Sequence, residues 1–451
     1  MHRSCHRLVP SLLVATLAAI TLSGCGSSAA TPPSSAPASV VDVAVQVAHT
    51  SLGDVGYRAL GSGPNLVLIM GYSGTMESWD PHFVDMLARH FRVIIFDNAG
   101  TGQTAALHSP LTIGAMANQT SALMTSLHLG STNVLGWSMG GMIAQALAVL
   151  HPAQVRRLVL CATFPGTGNA VQPSQKEIAA LTSVTPETPT VLFPATQGLA
   201  ADAFAGSLAA YPVSSSASAS VVAAQGGASL GWFNGKDTAG RETQRISVPT
   251  LVADGANDHL DAAANDRELS ALIPRSRLVL YPDAGHGFLF QGAADFTFLV
   301  RTFLVGVPPS QSVTQIRQRY LADYKKERSA GTQWVAALKS LTSKSSSQDL
   351  ARDDVSLSDA VGALDDELLS FGATGSLGAS ITAFVHADER GVRDVLALGA
   401  LSGSLAKSYK ATSAHDGAVT VTLGNALRRQ LNLPPITIPT TTTTTIALNN
   451  L

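Results

Sequence analysis

The amino-acid sequence predicts an α/β protein: a mostly parallel sheet of eight strands with helices on both faces, an inserted helical cap and a C-terminal helical extension. Short, continuous apolar runs recur along the chain, as in "NLVLIM" at Asn65–Met70, and such runs are typical of strands buried on both faces. Helical patterns lie between most of these runs. Strands that alternate with helices favour a parallel sheet that is covered on both sides.

The core of this fold is assigned to residues 42–164 and 246–306, where the two patterns alternate. Strands are predicted at Asp42–His49, Val55–Leu60, Asn65–Met70, Arg92–Phe96, Asn133–Leu135, Arg157–Cys161, Thr250–Ala253 and Arg277–Tyr281. Helices are predicted at Asp80–His90, Ile113–Leu127, Met139–Leu150, Ala262–Leu272 and Ala293–Phe303.

One interval breaks the alternation, because residues 165–245 carry helical stretches and no clear strand. A capping pattern at Ser174–Glu177 opens one of these helices. We interpret the interval as a helical cap inserted into the core, and a floppy insertion is the alternative.

The C-terminal third has a different composition and no indicated role. Residues 307–432 are expected to be helical, with a helix from about Val313 and further helices at Val355–Phe371 and Ile381–Leu405. The segment "HADER" at His386–Arg390 is expected to be solvated helix surface. Residues 433–451 are rich in Pro and Thr, and we expect them to be disordered.

The N-terminus is typical of an exported protein. Residues 1–24 combine Arg3 and Arg7 with an apolar run, which together indicate a signal peptide. The run ends in "LSGC", which resembles the lipobox of bacterial lipoproteins, so Cys25 is the expected lipidation site. Residues 25–41 are then expected to form a flexible tether, which anchors the protein to the cell membrane on the side that faces away from the cytoplasm. An ordinary cleaved signal peptide with an incidental cysteine is the alternative.

Composition argues against some partners. The formal net charge is −2 and only 13% of residues are charged, whereas a nucleic-acid binder shows a basic stripe. With Cys5 removed and Cys25 lipidated, Cys161 has no disulfide partner and is expected to be a buried core residue. Oligomeric state is left open.

The chemistry is concentrated around "LGWSMGG", which follows a predicted strand and opens a predicted helix. This is the setting of a nucleophile elbow, in which a sharp turn exposes a serine, here Ser138. Side chains at Gly136 and Gly140 would collide with nearby backbone. The helix N-terminus favours negative charge that develops at the serine.

A serine hydroxyl needs a general base, and a histidine base needs an orienting carboxylate. His286 lies just after the last strand and is the best placed of the twelve histidines. Three aspartates follow the preceding strand. Asp258 is the predicted triad member, because a loop of four residues lets its carboxylate turn back, whereas Asp254 and Asp261 are expected to be turn or helix-cap residues.

The oxyanion hole of such a site needs two N–H groups. Met139, directly after the serine, supplies one. The loop after strand Asn65–Met70 supplies the other, with Tyr72 N–H first and Ser73 N–H second.

These motifs give the region from about Val43 to Val305 a resemblance to capped α/β-hydrolases, the group of esterases, C–C hydrolases and non-haem peroxidase-like enzymes. "GWSMGG", "FDNAGTGQT", "PTLVADGANDHL" and "DAGHGFLFQ" occur in the order and spacing of that family. Two positions depart from it. Met70 stands where the family often has His, and Ala99 stands where it has Arg, so we expect the local support of the two loops to differ from that of the family.

The expected activity is hydrolysis of carboxylic esters of small or apolar substrates, with Ser138, Asp258 and His286 as the triad and no cofactor or metal. A C–C hydrolase or a cofactor-free perhydrolase would use the same residues. A catalytically inactive binding or envelope interaction lipoprotein is the rival from another class.

Overall fold

The computed structural model describes residues 39–108, 110–182, 191–212, 215–308, 311–340, 346–397 and 405–436. The predicted signal peptide, Cys25, most of the tether and the tail beyond residue 436 lie outside these residues. Within them, the chain forms two compact units, one of residues 39–201 and 211–292, the other of residues 202–210 and 293–436.

The first unit is built on an eight-stranded, mostly parallel sheet, which confirms the predicted fold class. Its order is β1-β2-β4-β3-β5-β6-β7-β8. The pairs β1–β2 and β2–β4 are antiparallel, and all other neighbouring pairs are parallel. The strands are β1 Gln46–Thr50, β2 Gly53–Leu60, β3 Asn65–Ile69, β4 Arg92–Phe96, β5 Thr132–Trp137, β6 Val155–Cys161, β7 Thr250–Gly255 and β8 Ser276–Tyr281.

Helices cover the sheet, and two of them begin at a side-chain cap. They are α1 Pro81–Ala88, α2 Ile113–Ser126, α3 Met139–Leu150, α7 Ala263–Leu272 and α8 Phe288–Gln291, with α4 to α6 in the insertion. Asp80 caps α1 and Thr112 caps α2 through backbone N–H groups. The apolar faces of α2 and α3 pack with strand side chains such as Val67 and Val134 in one buried core.

The insertion is helical, as its sequence predicts. It contains α4 Gln175–Thr182, α5 Gly198–Leu208 and α6 Ala219–Phe233, with short 3-10 turns at Ala195–Gln197 and Gly240–Arg245. Two parts of the insertion contact the site described below. They are helix α6 and the segment at 191–194, which precedes the 3-10 turn at Ala195–Gln197.

The start of the first unit differs from the prediction. The expected strand Asp42–His49 is a 3-10 turn at Val40–Asp42 followed by β1. Val40 and Val41, assigned to the tether, are buried, and Val40 N–H donates to Asp85 Oδ1 at 2.8 Å. The packed part of the chain therefore includes Ser39–Val41.

The second unit is helical: α9 Ala293–Val305, α10 Val313–Ser340, α11 Ser347–Ser370, α12 Gly375–Leu396 and α13 Leu405–Gln430. The predicted helix Ile381–Leu405 is wrong at its C-terminal end, since α12 ends at Leu396 and a separate helix begins at Leu405. The expectation for "HADER" is wrong too: Ala387 is buried, and Glu389 accepts the N–H groups of Ala294 and Asp295. In the part of the chain that the structure describes, no helix is long and apolar enough to cross a bilayer.

Candidate active site

Ser138 occupies the sharp turn between β5 and α3. Its backbone has φ 59° and ψ −125°, a left-handed conformation that side-chain-bearing residues rarely adopt. A Cβ at Gly136 would fall within 3.0 Å of the Gly140 carbonyl, and a Cβ at Gly140 within 3.0 Å of the Ile69 carbonyl. Both glycines are therefore required for strand and helix to approach this closely.

Neighbouring strands hold this strained residue in place. Ser138 N–H donates to the Cys161 carbonyl at 2.9 Å, and Thr163 Oγ1 donates to the Ser138 carbonyl at 2.7 Å. Strain of this kind costs on the order of 1–3 kcal/mol and persists only where surrounding structure imposes it. The result is a serine side chain at a helix N-terminus, beside the C-terminal ends of the central strands, where parallel α/β sheets bind their ligands.

Asp258 is the aspartate that contacts His286. Asp258 Oδ2 lies 2.6 Å from His286 Nδ1, and both side chains are almost fully buried. The other oxygen, Oδ1, accepts the N–H groups of Leu260 at 2.7 Å and Asp261 at 3.0 Å. These bonds fix the carboxylate so that one oxygen faces the imidazole. Asp254, which lies within β7, instead accepts a hydrogen bond from the adjacent Gly255 N–H.

The side chain of Trp137 joins the histidine to the residue before the serine. Trp137 Nε1, in the residue before Ser138, donates to the His286 carbonyl at 2.9 Å, and the two rings are 5.5 Å apart. Asn257 N–H donates to the Ala284 carbonyl at 2.9 Å, which joins the aspartate loop to the histidine loop. No hydrogen bond joins Ser138 Oγ to His286 in the described structure, and such bonds often tighten only with substrate in place.

The loop after β3 lies close to the serine. A Cβ at Gly71 would lie 3.1 Å from Ser138 Cβ. Ser73 N–H is already used, since it donates to Gln225 Oε1 at 2.8 Å. The N–H groups of Tyr72 and Met139 have no acceptor among the described residues, so these two donors remain for an oxyanion.

Two residues that sequence reasoning missed support this loop. Asn98 Nδ2 donates to the Met70 carbonyl at 2.8 Å, at the position where the family's histidine is replaced. Gln225, on α6, is fully buried and brings the insertion into contact with the loop. Trp137 was a third omission, although its place beside Ser138 was a usable signal. Nothing in the sequence marks Gln225.

The loop "DNAGTG", which departs from the family's sequence at Ala99, also has a buried carboxylate. Asp97 Oδ1 accepts Met76 N–H at 2.8 Å, and Oδ2 accepts Gln103 N–H at 3.3 Å. Burial raises the pKa of Asp97 to about 6, with those hydrogen bonds opposing the shift. Ala99, at the family's arginine position, is buried and leaves this carboxylate without that cation.

A second group of aspartates lies behind Asp258. Atoms of Asp254, Asp261 and Asp266 lie within 4.8 Å of one another, close enough to hold a cation, the one such group within the described residues. Burial raises the pKa of all three, to about 7 for Asp266, and repulsion from neighbouring carboxylates, which include Asp258, adds to each shift. Asp261 does not cap α7 as predicted, since its side chain accepts from Asn265 Nδ2 at 2.7 Å.

The sequence profile of the alpha/beta hydrolase fold matches residues 64–293. These residues include the elbow, the oxyanion loop and both loops of the aspartate–histidine pair. The chain belongs to the α/β-hydrolase family and is an enzyme of it.

Relatives can be named for the same region. The protein named carbamate hydrolase RutD from Caulobacter sp. (strain K31) is 28% identical over 269 residues, covering 55% of this chain and 96% of that protein. The protein named non-heme bromoperoxidase BpoC from Mycobacterium tuberculosis (strain ATCC 25618 / H37Rv) is 30% identical over 266 residues, covering 55% and 97%. The solved structure of an alpha/beta hydrolase fold protein from Chitinophaga pinensis has a TM-score of 0.53 at 28% identity, covering 59% of this chain and 99% of that one.

Proposed function

We propose that this enzyme is a serine hydrolase that cleaves carboxylic esters of small or apolar substrates, with Ser138, His286 and Asp258 as its triad. The observation that carries the proposal is the buried hydrogen bond of 2.6 Å between Asp258 and His286. It lies beside a serine held in the strained turn of an elbow. A structural ion pair alone would not account for that strain.

In the proposed acylation step, Ser138 Oγ attacks the ester carbonyl carbon. His286 accepts the serine proton at Nε2, because Nδ1 is bonded to Asp258, and the carboxylate stabilises the imidazolium. The N–H groups of Tyr72 and Met139 hold the oxyanion. His286 then protonates the leaving alcohol oxygen as the carbon–oxygen bond breaks.

Deacylation repeats these roles with water. His286 removes a proton from water, the resulting hydroxide attacks the acyl-enzyme, and the proton returns to Ser138 as the free acid leaves. One oxyanion donor typically contributes on the order of 100-fold or more in rate.

Apolar surface beside the histidine supports neutral or acyl-bearing substrates. Phe193, in the insertion, is buried, and its ring lies within 3.0 Å of a Cβ placed at Gly287, the residue after His286. A charged acyl group would lose hydration against this ring without gaining a partner.

The test is hydrolysis of p-nitrophenyl esters from acetyl to dodecanoyl, with Ser138→Ala as the inactive variant. Ser126→Ala is the matched control, because Ser126 ends α2 and donates to the His49 carbonyl. We expect turnover and fluorophosphonate labelling in wild type and control, and loss of both in Ser138→Ala. A folded wild-type protein with neither property would refute the serine-hydrolase proposal.

Other reactions of the same triad need separate assays. Peracid formation from acetate and hydrogen peroxide would indicate a perhydrolase, in line with the name of the relative BpoC. Cleavage of a vinylogous β-diketone without ester turnover would indicate a C–C hydrolase. Ligand binding without turnover on any substrate would favour the inactive envelope protein.

We propose further that the enzyme is an exported lipoprotein, anchored through Cys25. The support is the sequence pattern "LSGC" after a positively charged start and an apolar run. Wild type should incorporate labelled palmitate and sediment with membranes, and Cys25→Ser should do neither. Equal membrane association of the two forms would refute the lipid anchor.

A further inference from the structure

The four long helices of the second unit enclose a cavity. Helices α10, α11, α12 and α13 each pack against the next, and the cavity among them has a volume of 70 Å³. One water molecule occupies about 10–15 Å³ of such a volume, so the cavity has room for about five to seven groups of the size of a water molecule. Most of the wall is apolar, with side chains that include Leu357, Val361, Phe384 and Val392.

Among the described residues, three side chains that each have a shielded polar atom without a partner line the same cavity from three helices. They are Glu327 of α10, Ser358 of α11 and Asp388 of α12. Glu327 is 6% exposed and Ser358 1%, while Asp388 is half-buried with a shielded Oδ2. Glu327 Oε2, Ser358 Oγ and Asp388 Oδ2 have no hydrogen-bond partner within the described ranges. Buried polar atoms without partners are costly, so each demands an explanation.

Arg428 lies at the cavity's aromatic wall, and its Nη1 donates to Tyr320 Oη at 3.4 Å. Arg428 Nε donates to the Pro434 carbonyl at 2.7 Å. Its guanidinium lies 5.7 Å from the ring centre of Tyr320 and 5.4 Å from that of Tyr324. Within the residues described, it forms no ion pair with either carboxylate of the cavity.

Burial and neighbouring negative charge dominate the electrostatics around the two carboxylates. Burial, and then the charge of Asp388, raise the pKa of Glu327 well above its usual value, with Arg328 opposing. Burial and the charge of Glu389 raise the pKa of Asp388 to about 7. A cation in the cavity would favour the ionised form of both groups.

The geometry favours an organic cation over a metal ion. Across the described segments, the one set of three His, Cys, Asp or Glu ligand atoms within 4.8 Å lies elsewhere, at Asp254, Asp261 and Asp266. A primary ammonium has three N–H donors, and the cavity offers three acceptor side chains. Its carbon chain would pack against the apolar wall.

We propose that the helical bundle is a binding site for a small primary amine with an apolar body of about five to seven non-hydrogen atoms. The ammonium is held by Glu327, Asp388 and Ser358, and the hydrocarbon part by the aliphatic side chains of α11 and α12. This site does not depend on the proposed hydrolase activity.

Calorimetric titration of the full chain tests the site with 3-methylbutylamine as the probe. The matched ligand is 3-methylbutan-1-ol, which has the same shape and no charge. We expect the amine to bind at least tenfold more tightly than the alcohol. Glu327→Gln and Asp388→Asn should each weaken amine binding at least tenfold, and Glu367→Gln, which removes a charge outside the cavity, should not.

A filling variant guards against misfolding of the charge variants. Gly391 lines the cavity, and a Cβ placed there meets no atom within 4 Å, so Gly391→Leu should fold and occlude the site. Circular dichroism establishes folding of each variant. Equal binding of amine and alcohol, no amine binding by folded wild type, or undiminished binding by folded Gly391→Leu would each overturn the proposal.

Discussion

Replacing Ser138 by glycine should stabilise the first unit relative to replacing it by alanine. Both changes remove the hydroxyl, so their difference isolates the backbone, which has φ 59° at this residue. A left-handed conformation costs a side-chain-bearing residue about 1–3 kcal/mol. Glycine escapes that cost but loses about 0.4–1 kcal/mol through the greater freedom of its unfolded chain. The expected net gain in unfolding free energy is about 1 kcal/mol.

Urea unfolding followed by tryptophan fluorescence measures this difference, since Trp79, Trp137 and Trp232 all belong to the first unit. The matched control is Ser220, an exposed residue in the first turn of α6. At a helical position glycine is less stable than alanine by about 1 kcal/mol, so the sign should reverse there. A Ser138→Gly variant no more stable than Ser138→Ala would refute the claim that the elbow stores strain.

Three further predictions concern the same unit. Asp258→Asn should lower kcat for p-nitrophenyl butyrate on the order of 10³–10⁴-fold, because its amide disturbs the histidine tautomer; near-normal kcat would exclude Asp258 from the triad. Gly140→Ala should destabilise by about 2 kcal/mol or more in urea, because its Cβ overlaps the Ile69 carbonyl. The control Gly227→Ala, with no atom within 4 Å, should stabilise by about 0.5–1 kcal/mol, and equal effects would contradict the steric argument. Burial raises the pKa of Asp97 to about 6 from 3.8, so the folded state binds the proton more tightly and wild-type stability should fall as pH rises from about 4 to 6. The loss of unfolding free energy is at most about 3 kcal/mol. Asp97→Asn should lack this loss. Identical pH profiles of stability for wild type and variant would argue against the raised pKa of Asp97.

Periodicity and motif spacing were enough to predict much of the first unit. All eight strands were predicted. The continuous apolar runs of β3 to β7 reflect burial on both faces, which the edge strands β1 and β8 lack, and β4 matched its predicted bounds, Arg92–Phe96. The N-terminal boundary was misjudged, because Val40 and Val41 follow a Pro- and Ser-rich segment and were assigned with it to the tether. They pack instead as a short turn over α1, a tertiary contact that local pattern does not contain.

The candidate site was predictable where chemistry demands a fixed order along the chain. Ser138, Asp258 and His286 each follow a strand, and loop length separated Asp258 from Asp254. Gln225 could not be found, because its role depends on where the insertion folds. The prediction for "HADER" was wrong for a related reason. Its charged residues indicated an exposed helix surface, whereas Glu389 is buried and accepts a hydrogen bond from the backbone of α9.

The segment at 191–194 contacts Gly287, the residue that follows His286. Gly287 N–H donates to the Leu192 carbonyl at 2.8 Å, and the Phe193 ring packs on Gly287. An outward swing of this segment must break that bond and uncover the residue next to His286. Entry of a bulky molecule would therefore loosen the base, and reclosure would rebuild it, so that a substrate too large to be enclosed meets a poorly aligned histidine. The enzyme would then discriminate by size through its turnover number as well as through its affinity.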